Sequence, residues 1–286
     1  MTMNDNTTVP SNGAQRFDVR AFTRTAHGNM REEIETAEYA GRPLSSDVLR
    51  MLRFLRDLEA STMQHLRNVL VTATHKDARI TAFLVSWAFE KFWIADALEN
   101  VLEANGAASG PAATGPDATA TRVSGEKRHD RVEAPDRHGP VWRAIAAIQI
   151  GTPIIAVHMA SGLIDEWITR AAYERVVEVA ESPALTTTVA KLLELKARHS
   201  VFFEDEARRR LSSTPRAVRL ANRTLGRMAW PLGSISMAAE ARTFFEQFSF
   251  GEAEGAARAT RIERGIASLP GVGASVAAQI RERLIP

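Results

Sequence analysis

Residues 106–139 interrupt the chain with a long stretch that has no periodic apolar pattern. Residues 106–121 are almost entirely Ala, Gly, Ser, Pro and Thr, and residues 122–139 carry mixed charges. Apolar residues at helical spacing dominate on both sides of this stretch, and no convincing alternating strand occurs. Two helices before and two after one long connection predict an all-α bundle with a crossover between helices two and three.

Local signals set the expected helix ends. Residues 30–39 suggest a short helix, and the Ser-Ser-Asp cluster at 45–47 opens a predicted helix one that runs to Leu70. Asp77 begins helix two, which ends near Gly106. Helix three is expected over residues 141–180 with a kink near Pro153, and helix four over residues 183–211.

Composition limits the class of protein. The chain has 286 residues, 45% of them hydrophobic, a formal net charge of +2 and no cysteine. Disulfides, thiolate metal sites and cysteine nucleophiles are therefore excluded. The apolar run at 145–164 is interrupted by Gln149, Pro153 and His158, so a helix buried in protein is expected rather than a membrane span. With no signal sequence pattern, we expect a cytoplasmic protein.

Three parts are predicted along the chain. Residues 1–29 are expected to be flexible, because they begin with a polar stretch. Residues 30–212 would form the helical bundle, with 106–139 as its mobile crossover loop. Residues 213–286 would form a C-terminal helical extension packed on the bundle.

Several phrases carry a resemblance to a known family. They are Phe83-Leu-Val-Ser-Trp-Ala-Phe-Glu-Lys-Phe-Trp-Ile, Ala156-Val-His-Met-Ala-Ser-Gly-Leu-Ile-Asp-Glu-Trp, Lys196-Ala-Arg-His-Ser-Val-Phe-Phe and Trp230-Pro-Leu-Gly-Ser. From about Val48 onwards the chain resembles bacterial members of the ferritin-like, or di-iron carboxylate, superfamily. The resemblance implies a four-helix bundle in which one Glu from each of two helices and Glu-x-x-His from each of the other two bind two metals.

The matching ligand positions are altered in this chain. Glu59 matches the ligand of helix one and Glu166 that of helix three. Lys91 stands where the Glu of helix two is expected, with Ile94 in place of the His. On helix four, Lys196 replaces the Glu and His199 remains. Two of the four carboxylates that the family uses are thus replaced by lysines.

Charge arithmetic favours a metal-free core. Two carboxylates and two ammonium groups are neutral together, whereas metals beside two lysines would be repelled. One alternative is that the register is wrong and a lysine extends to the surface. Another is a residual iron or manganese site formed by Glu59, Glu90, Glu166 and His199.

The expected function follows from these interpretations. With no cofactor bound, the bundle would act as a binding or scaffold protein, or as a non-redox enzyme that uses Lys91 and Lys196 in acid–base catalysis. If the residual metal site works, the resemblance implies a non-haem di-iron oxidoreductase of the oxygenase or desaturase type. The aromatic residues of helices two and four could line an acyl pocket, but their helical spacing is more typical of core packing.

Two C-terminal features suggest partners. Arg208, Arg209 and Arg210 begin a basic stripe that continues through Arg216, Arg219, Arg223 and Arg227, which could bind an acidic partner such as a carrier protein. Residues 266–280 contain Leu269-Pro-Gly-Val-Gly and resemble a helix-hairpin-helix, which would contact DNA phosphates. The basic residue that usually follows those glycines is absent. A homodimer is a further possibility.

Overall fold

The computed structural model describes residues 16–107 and 151–286, and no β-strand occurs within them. The α-helices of the first range are α1 (Val19–Arg24), α2 (Glu38–Gly41), α3 (Ser46–Ala60), α4 (Thr62–Leu70) and α5 (Ala78–Ala104). Those of the second are α6 (Ile154–Ala180), α7 (Pro183–Leu211), α8 (Pro215–Leu225), α9 (Ala239–Phe250), α10 (Ala253–Ala267) and α11 (Ala274–Leu284). Short 3-10 helices span Arg31–Glu33, Ala73–Lys76 and Ser234–Ser236. The predicted all-α class is confirmed.

Side-chain caps fix the starts of the long helices. The side chains of Ser45, Asp77 and Ser182 accept hydrogen bonds from backbone amides at the first turns of α3, α5 and α7. Pro183 follows Ser182 at a position where its missing amide hydrogen costs nothing. At the other end of α5, Gly106 adopts a φ of 65°, which a glycine tolerates and which turns the chain away. The predicted boundaries of α5 and α7 are therefore confirmed.

The core is built mainly from two helix pairs. The most extensive helix contacts join α6 with α7 and α3 with α5. Between α5 and α7, the rings of Phe83 and Phe202 stack with centroids 3.7 Å apart, and Phe203 meets Phe83 edge-on at 5.2 Å. Helices α8 to α11 pack around α6 and one another. The charged site described below lies inside this apolar shell.

The predicted helix one is two helices. Ser61 separates α3 from α4, and its hydroxyl donates to the carbonyl of Leu58 at 2.7 Å. Such side-chain bonds to the backbone compete with the helical hydrogen-bond ladder, which explains a break at a serine. Ser61 is hydrogen-bonded to both helices, because its amide donates to the carbonyl of Asp57 and its carbonyl accepts from the amide of His65.

The N-terminal region also differs from the prediction. The predicted flexible stretch 1–29 includes α1, whose Phe22 is buried against Phe83 with ring centroids 5.0 Å apart. The short helix predicted over residues 30–39 is instead a 3-10 turn at Arg31–Glu33 followed by α2. Arg31 anchors this region by donating to both carboxylate oxygens of Asp96 at 2.9 and 3.0 Å. This polar N-terminal segment packs on the bundle because Phe22 is buried there and Arg31 pairs with Asp96.

The crossover and the start of helix three fall mostly outside the described residues. Helix α6 begins at Ile154, and the described residues before it form a turn in which Gly151 has a φ of 66°, so the prediction of a helix that runs through Pro153 with a kink is wrong. The predicted segment 141–150 lies outside the described residues. Most of the predicted loop, residues 108–139, is likewise not described.

Helix α5 is less enclosed than its composition indicates. Val85, Phe89 and Phe92 are 52%, 45% and 48% exposed on one side of the helix. Within the described ranges, none of the helices combines the length and apolar character needed to cross a membrane.

Phe83 and Phe89 provide a matched test of this packing. Phe83→Ala should lower the free energy of unfolding by about 3–5 kcal/mol, because it opens a cavity in the aromatic cluster. Phe89→Ala, on the exposed side of the same helix, should cost less than about 1 kcal/mol. Chemical denaturation of both variants checks this. Equal losses would contradict the described burial.

Candidate functional site: a buried ring of two glutamates and two lysines

Four helices each place one charged side chain at the same level of the core. Glu59 lies on α3, Lys91 on α5, Glu166 on α6 and Lys196 on α7. The lysine side chains are each 2% exposed, and the glutamate side chains 1% or less. The alternative in which one lysine reaches the surface is therefore wrong, because apolar neighbours enclose both of them.

The four groups form a closed ring of alternating charge. The Nζ atom of Lys91 lies 2.6 Å from Oε2 of Glu59 and 3.1 Å from Oε1 of Glu166. The Nζ atom of Lys196 lies 3.1 Å from Oε1 of Glu59 and 2.7 Å from Oε2 of Glu166. Each ammonium group thus bridges both carboxylates, and each carboxylate contacts both ammonium groups.

Two neutral donors complete the coordination of the carboxylates. Trp87 donates from Nε1 to Oε1 of Glu166 at 3.0 Å, and the Tyr173 hydroxyl donates to Oε1 of Glu59 at 3.2 Å. Burial and the neighbouring Glu59 carboxylate raise the pKa of Tyr173 well above its usual value, so the phenol keeps the proton it donates. Every oxygen of the two carboxylates therefore has a donor or a cation within 3.2 Å.

The local electrostatics favours the charged forms of Glu59, Glu166 and Lys91. Burial alone would raise the pKa of Glu59 and Glu166, but the ammonium groups of Lys196 and Lys91 outweigh it, and both carboxyl pKa values are lowered. Burial opposes the charge of Lys91 as well, yet Glu166 and Glu59 raise its pKa above the usual value. Two negative and two positive charges leave the ring neutral overall, which is what a low-dielectric core requires.

A second polar cluster adjoins the ring. Nε2 of His199 lies 2.6 Å from Oε2 of Glu90, and its Nδ1 lies 3.5 Å from Oε1 of Glu166. The other oxygen of Glu90 accepts the backbone amide of His27 at 2.8 Å, and Arg198 lies 3.6 Å away from it. His199 thus links the ring to a fully buried glutamate that the N-terminal segment covers.

Asp165 connects the ring to the loop after α8. Its Oδ1 accepts the backbone amide of Leu232 at 2.7 Å. Burial raises the pKa of Asp165 to about 7, and Glu166 adds to the rise, although Lys91 and Lys196 oppose it. The sequence places Asp165 beside Glu166, but only the fold shows that it holds a distant loop.

All six predicted site residues converge on this region of the core. Glu59, Lys91, Glu166 and Lys196 form the ring, and Glu90 and His199 form the adjoining cluster. Sequence reasoning missed the phenol of Tyr173 and the indole of Trp87. Tyr173 lies seven residues, or about two turns, after Glu166, and Trp87 four before Lys91, so both share a helix face with a ring member and could have been found.

The donor set does not suit a metal. In residues 16–107 and 151–286, no three or more His, Cys, Asp or Glu side chains form a group that could hold a metal ion. The carboxylates of Glu59 and Glu166 face ammonium groups, whose repulsion a divalent ion would have to overcome.

The arginine stripe is divided by the fold. Arg208 donates to Glu204 and to the carbonyl of Ser268, Arg209 pairs with Glu206, and Arg210 pairs with Glu206 and Asp77. Buried Glu206 also pairs with Arg16 and Arg79. The remaining members, Arg216, Arg219, Arg223 and Arg227, are exposed. The first three arginines of the stripe are thus structural, and the other four lie at the surface.

The predicted hairpin joins α10 to α11, and its turn packs on α8. The amide of Gly273 donates to Oδ1 of Asn222 at 2.8 Å, and Nδ2 of Asn222 donates to the carbonyl of Gly271 at 2.9 Å. One backbone donor of the turn is therefore used inside the protein. Contact of the hairpin with DNA remains a prediction.

Comparison with protein-family models, with curated proteins and with solved structures finds no match for this chain.

Removing one charge of the ring should be costly. Lys91→Met leaves two carboxylates facing one ammonium group, so the free energy of unfolding should fall by about 3–5 kcal/mol. Adding Glu59→Gln restores neutrality, and the double variant should be more stable than Lys91→Met alone. Urea denaturation measures both. The exposed pair of Arg170 and Glu174 is the control, and Arg170→Ala should cost less than about 1 kcal/mol.

His158, two turns before Glu166 on α6, predicts a pH dependence of stability. Its Nδ1 lies 2.8 Å from Oγ1 of Thr74, and burial, helped by nearby His65, lowers its pKa to about 4. As the pH falls below about 6.5, His158 of the unfolded chain binds a proton, whereas His158 of the folded state stays neutral. The folded state should lose about 2 kcal/mol from this group between pH 7 and pH 5.

His158→Gln removes this titration and keeps a neutral partner for Thr74. The free energy of unfolding of the variant should therefore fall less than that of the wild type over pH 7 to 5, by about 2 kcal/mol. Urea denaturation at the two pH values measures the difference. An equal fall in both proteins would show that His158 does not carry it.

Proposed function

We propose that this protein is a ferritin-like four-helix bundle in which an ionic ring replaces the di-metal centre, and that it acts as a binding or scaffold protein. The observation that best supports the proposal is the bridging of Glu59 and Glu166 by both Lys91 and Lys196. In the ferritin-like proteins that the sequence resembles, two metal cations neutralise buried carboxylates. Here the two ammonium groups would supply the positive charge.

Electrostatics supports the exchange of metals for lysines. A divalent ion about 4 Å from one ammonium group would be repelled by roughly 8 kcal/mol at an effective dielectric constant of about 20. Both lysines lie beside the same two carboxylates, and each carboxylate oxygen already has a donor or an ammonium group within 3.2 Å. A metal ion would therefore have to displace a neutral set of ion pairs.

The protonation states argue against acid–base catalysis by the ring. A lysine that serves as a general base near neutral pH needs a lowered pKa, and the pKa of Lys91 is raised. Both ammonium groups are also enclosed, so a substrate would have to open the core to reach them. A binding role on the outer surface suits such a closed centre better than an enzyme does.

One arrangement favours a second candidate, a di-iron oxidoreductase with an unusual ligand set. Glu90, His199 and Glu166 are consecutive in one chain of contacts, at 2.6 and 3.5 Å. Together with Glu59 they are the residual set that the resemblance suggests for iron or manganese, although no group of three or more described His, Asp or Glu side chains is arranged to hold a metal ion. This alternative requires that metal enter despite the neighbouring lysines.

Elemental analysis decides between the two. Wild-type protein from iron- and manganese-supplemented medium should contain far less than one metal per chain, and Mn²⁺ should not raise its melting temperature. Lys196→Glu makes the ring net negative, so this variant should be less stable and should gain stability with Mn²⁺. Lys191→Glu, at an exposed position on the same helix, is the control.

Two results would contradict the proposal. About two metals per wild-type chain would favour the oxidoreductase and make Glu90 and His199 the first residues to substitute. A Lys196→Glu variant that matches the wild type in both stability and metal uptake would show that the ring does not take the place of a metal centre.

A further inference from the structure

Charge is distributed unequally along the chain. Residues 207–286 contain thirteen arginines and six acidic residues, whereas residues 1–206 have an excess of five acidic residues. Residues 207–239 contain seven arginines and neither Asp nor Glu. No lysine occurs after Lys196, so every formal side-chain cation of the C-terminal region is a guanidinium. A guanidinium can bind a carboxylate through two parallel hydrogen bonds.

The fold separates these arginines into two groups. The first three pair with acids of α5 and α7 or with the α10–α11 turn, as described above. Arg216, Arg219 and Arg223 are exposed on α8, and exposed Arg227 follows the end of that helix. We name Arg216, Arg219, Arg223 and Arg227 the arginine row.

The row lies on the outer side of α8. Ala217, Ala221 and Leu225 are buried and form the face that packs on the protein. Arg216, Arg219 and Arg223 lie three and four residues apart, which places them on one stripe away from that face. Arg227 follows the end of the helix by two residues. At about 1.5 Å per residue, the row is roughly 16 Å long.

The surroundings of the row favour a protein ligand over a nucleic acid. The neighbouring hairpin turn uses the Gly273 amide in its bond to Asn222 and packs Gly271 against Val218. That amide is thus not available to a phosphate, and the row remains a single line of guanidinium groups on one helix. Acidic residues at three- and four-residue spacing on a partner helix would match that line.

We propose that the arginine row is a docking surface for an acidic helix of a partner protein. Carboxylates at positions i, i+3, i+7 and i+11 of such a helix would face the four guanidinium groups when the two helices pack side by side. The attraction is between exposed charges, so it should weaken with increasing salt. This inference does not depend on the state of the buried ring.

The test uses the full-length protein and two labelled peptides in fluorescence anisotropy. One helical peptide carries Glu at the 3-4-4 spacing, and the other has the same composition with its Glu residues distributed around the helix. The double variant Arg219→Glu, Arg223→Glu should bind the first peptide at least about tenfold more weakly than the wild type. The control variant Arg20→Glu, Arg24→Glu reverses an exposed pair at the same spacing on α1 and should bind like the wild type.

The other outcomes overturn the proposal. Equal binding by the wild type and the Arg219→Glu, Arg223→Glu variant would show that the row is not the surface. Equal binding of both peptides would remove the argument from helical spacing. Tighter binding of a labelled 20-base-pair DNA duplex than of the first peptide, lost in the same variant, would assign the row to nucleic acid instead.

Discussion

The bridging of two buried carboxylates by two buried ammonium groups is the interaction on which the centre of this protein depends. Each of Glu59, Lys91, Glu166 and Lys196 comes from a different helix, and each contacts two of the others. An isolated charge in such a position would cost several kcal/mol, so the ring is tolerable only when all four helices are in register. The ring therefore makes the packing of α3, α5, α6 and α7 interdependent.

The regions outside the four helices are attached to the same centre. The N-terminal segment reaches it through the His27 amide and Glu90, and Glu90 reaches the ring through His199. The loop after α8 reaches it through the Leu232 amide and Asp165. Both attachments use a backbone amide as donor to a buried carboxylate, which satisfies a group that burial would otherwise leave unpaired. A disturbance of the ring should consequently be felt in segments far from it in sequence.

Helical spacing made the charged positions predictable. Lys91 and Lys196 fall at the ligand positions that the resemblance to ferritin-like proteins indicates, which singled out both residues in the sequence. The contacts themselves were not predictable, because they depend on which rotamers the four helices allow. The His27 amide carries no side-chain signal at all. Phe89 and Phe92 were expected in the core because of the helical spacing of the aromatic residues, yet they face outwards. Hydrophobicity does not tell which side of a long helix lacks a neighbour. Similarly, the Leu-Pro-Gly-Val-Gly turn can be recognised from the local sequence. Its packing on α8 depends on Val218 and Asn222, which lie about fifty residues earlier.

A ring of alternating charges also explains how such a core can specify one arrangement of its helices. An apolar core of the same volume can equal or exceed the stability of buried ion pairs, but it accepts several helix registers at similar free energy. Moving one helix by a single residue would turn its ring member by about 100° and leave the opposing charges unpaired. Glu90 shows the consequence on α5, because a shift that placed it at the position of Lys91 would bring a third carboxylate towards Glu59 and Glu166. We infer that the ring contributes more to the uniqueness of the helix register than to the net free energy of folding.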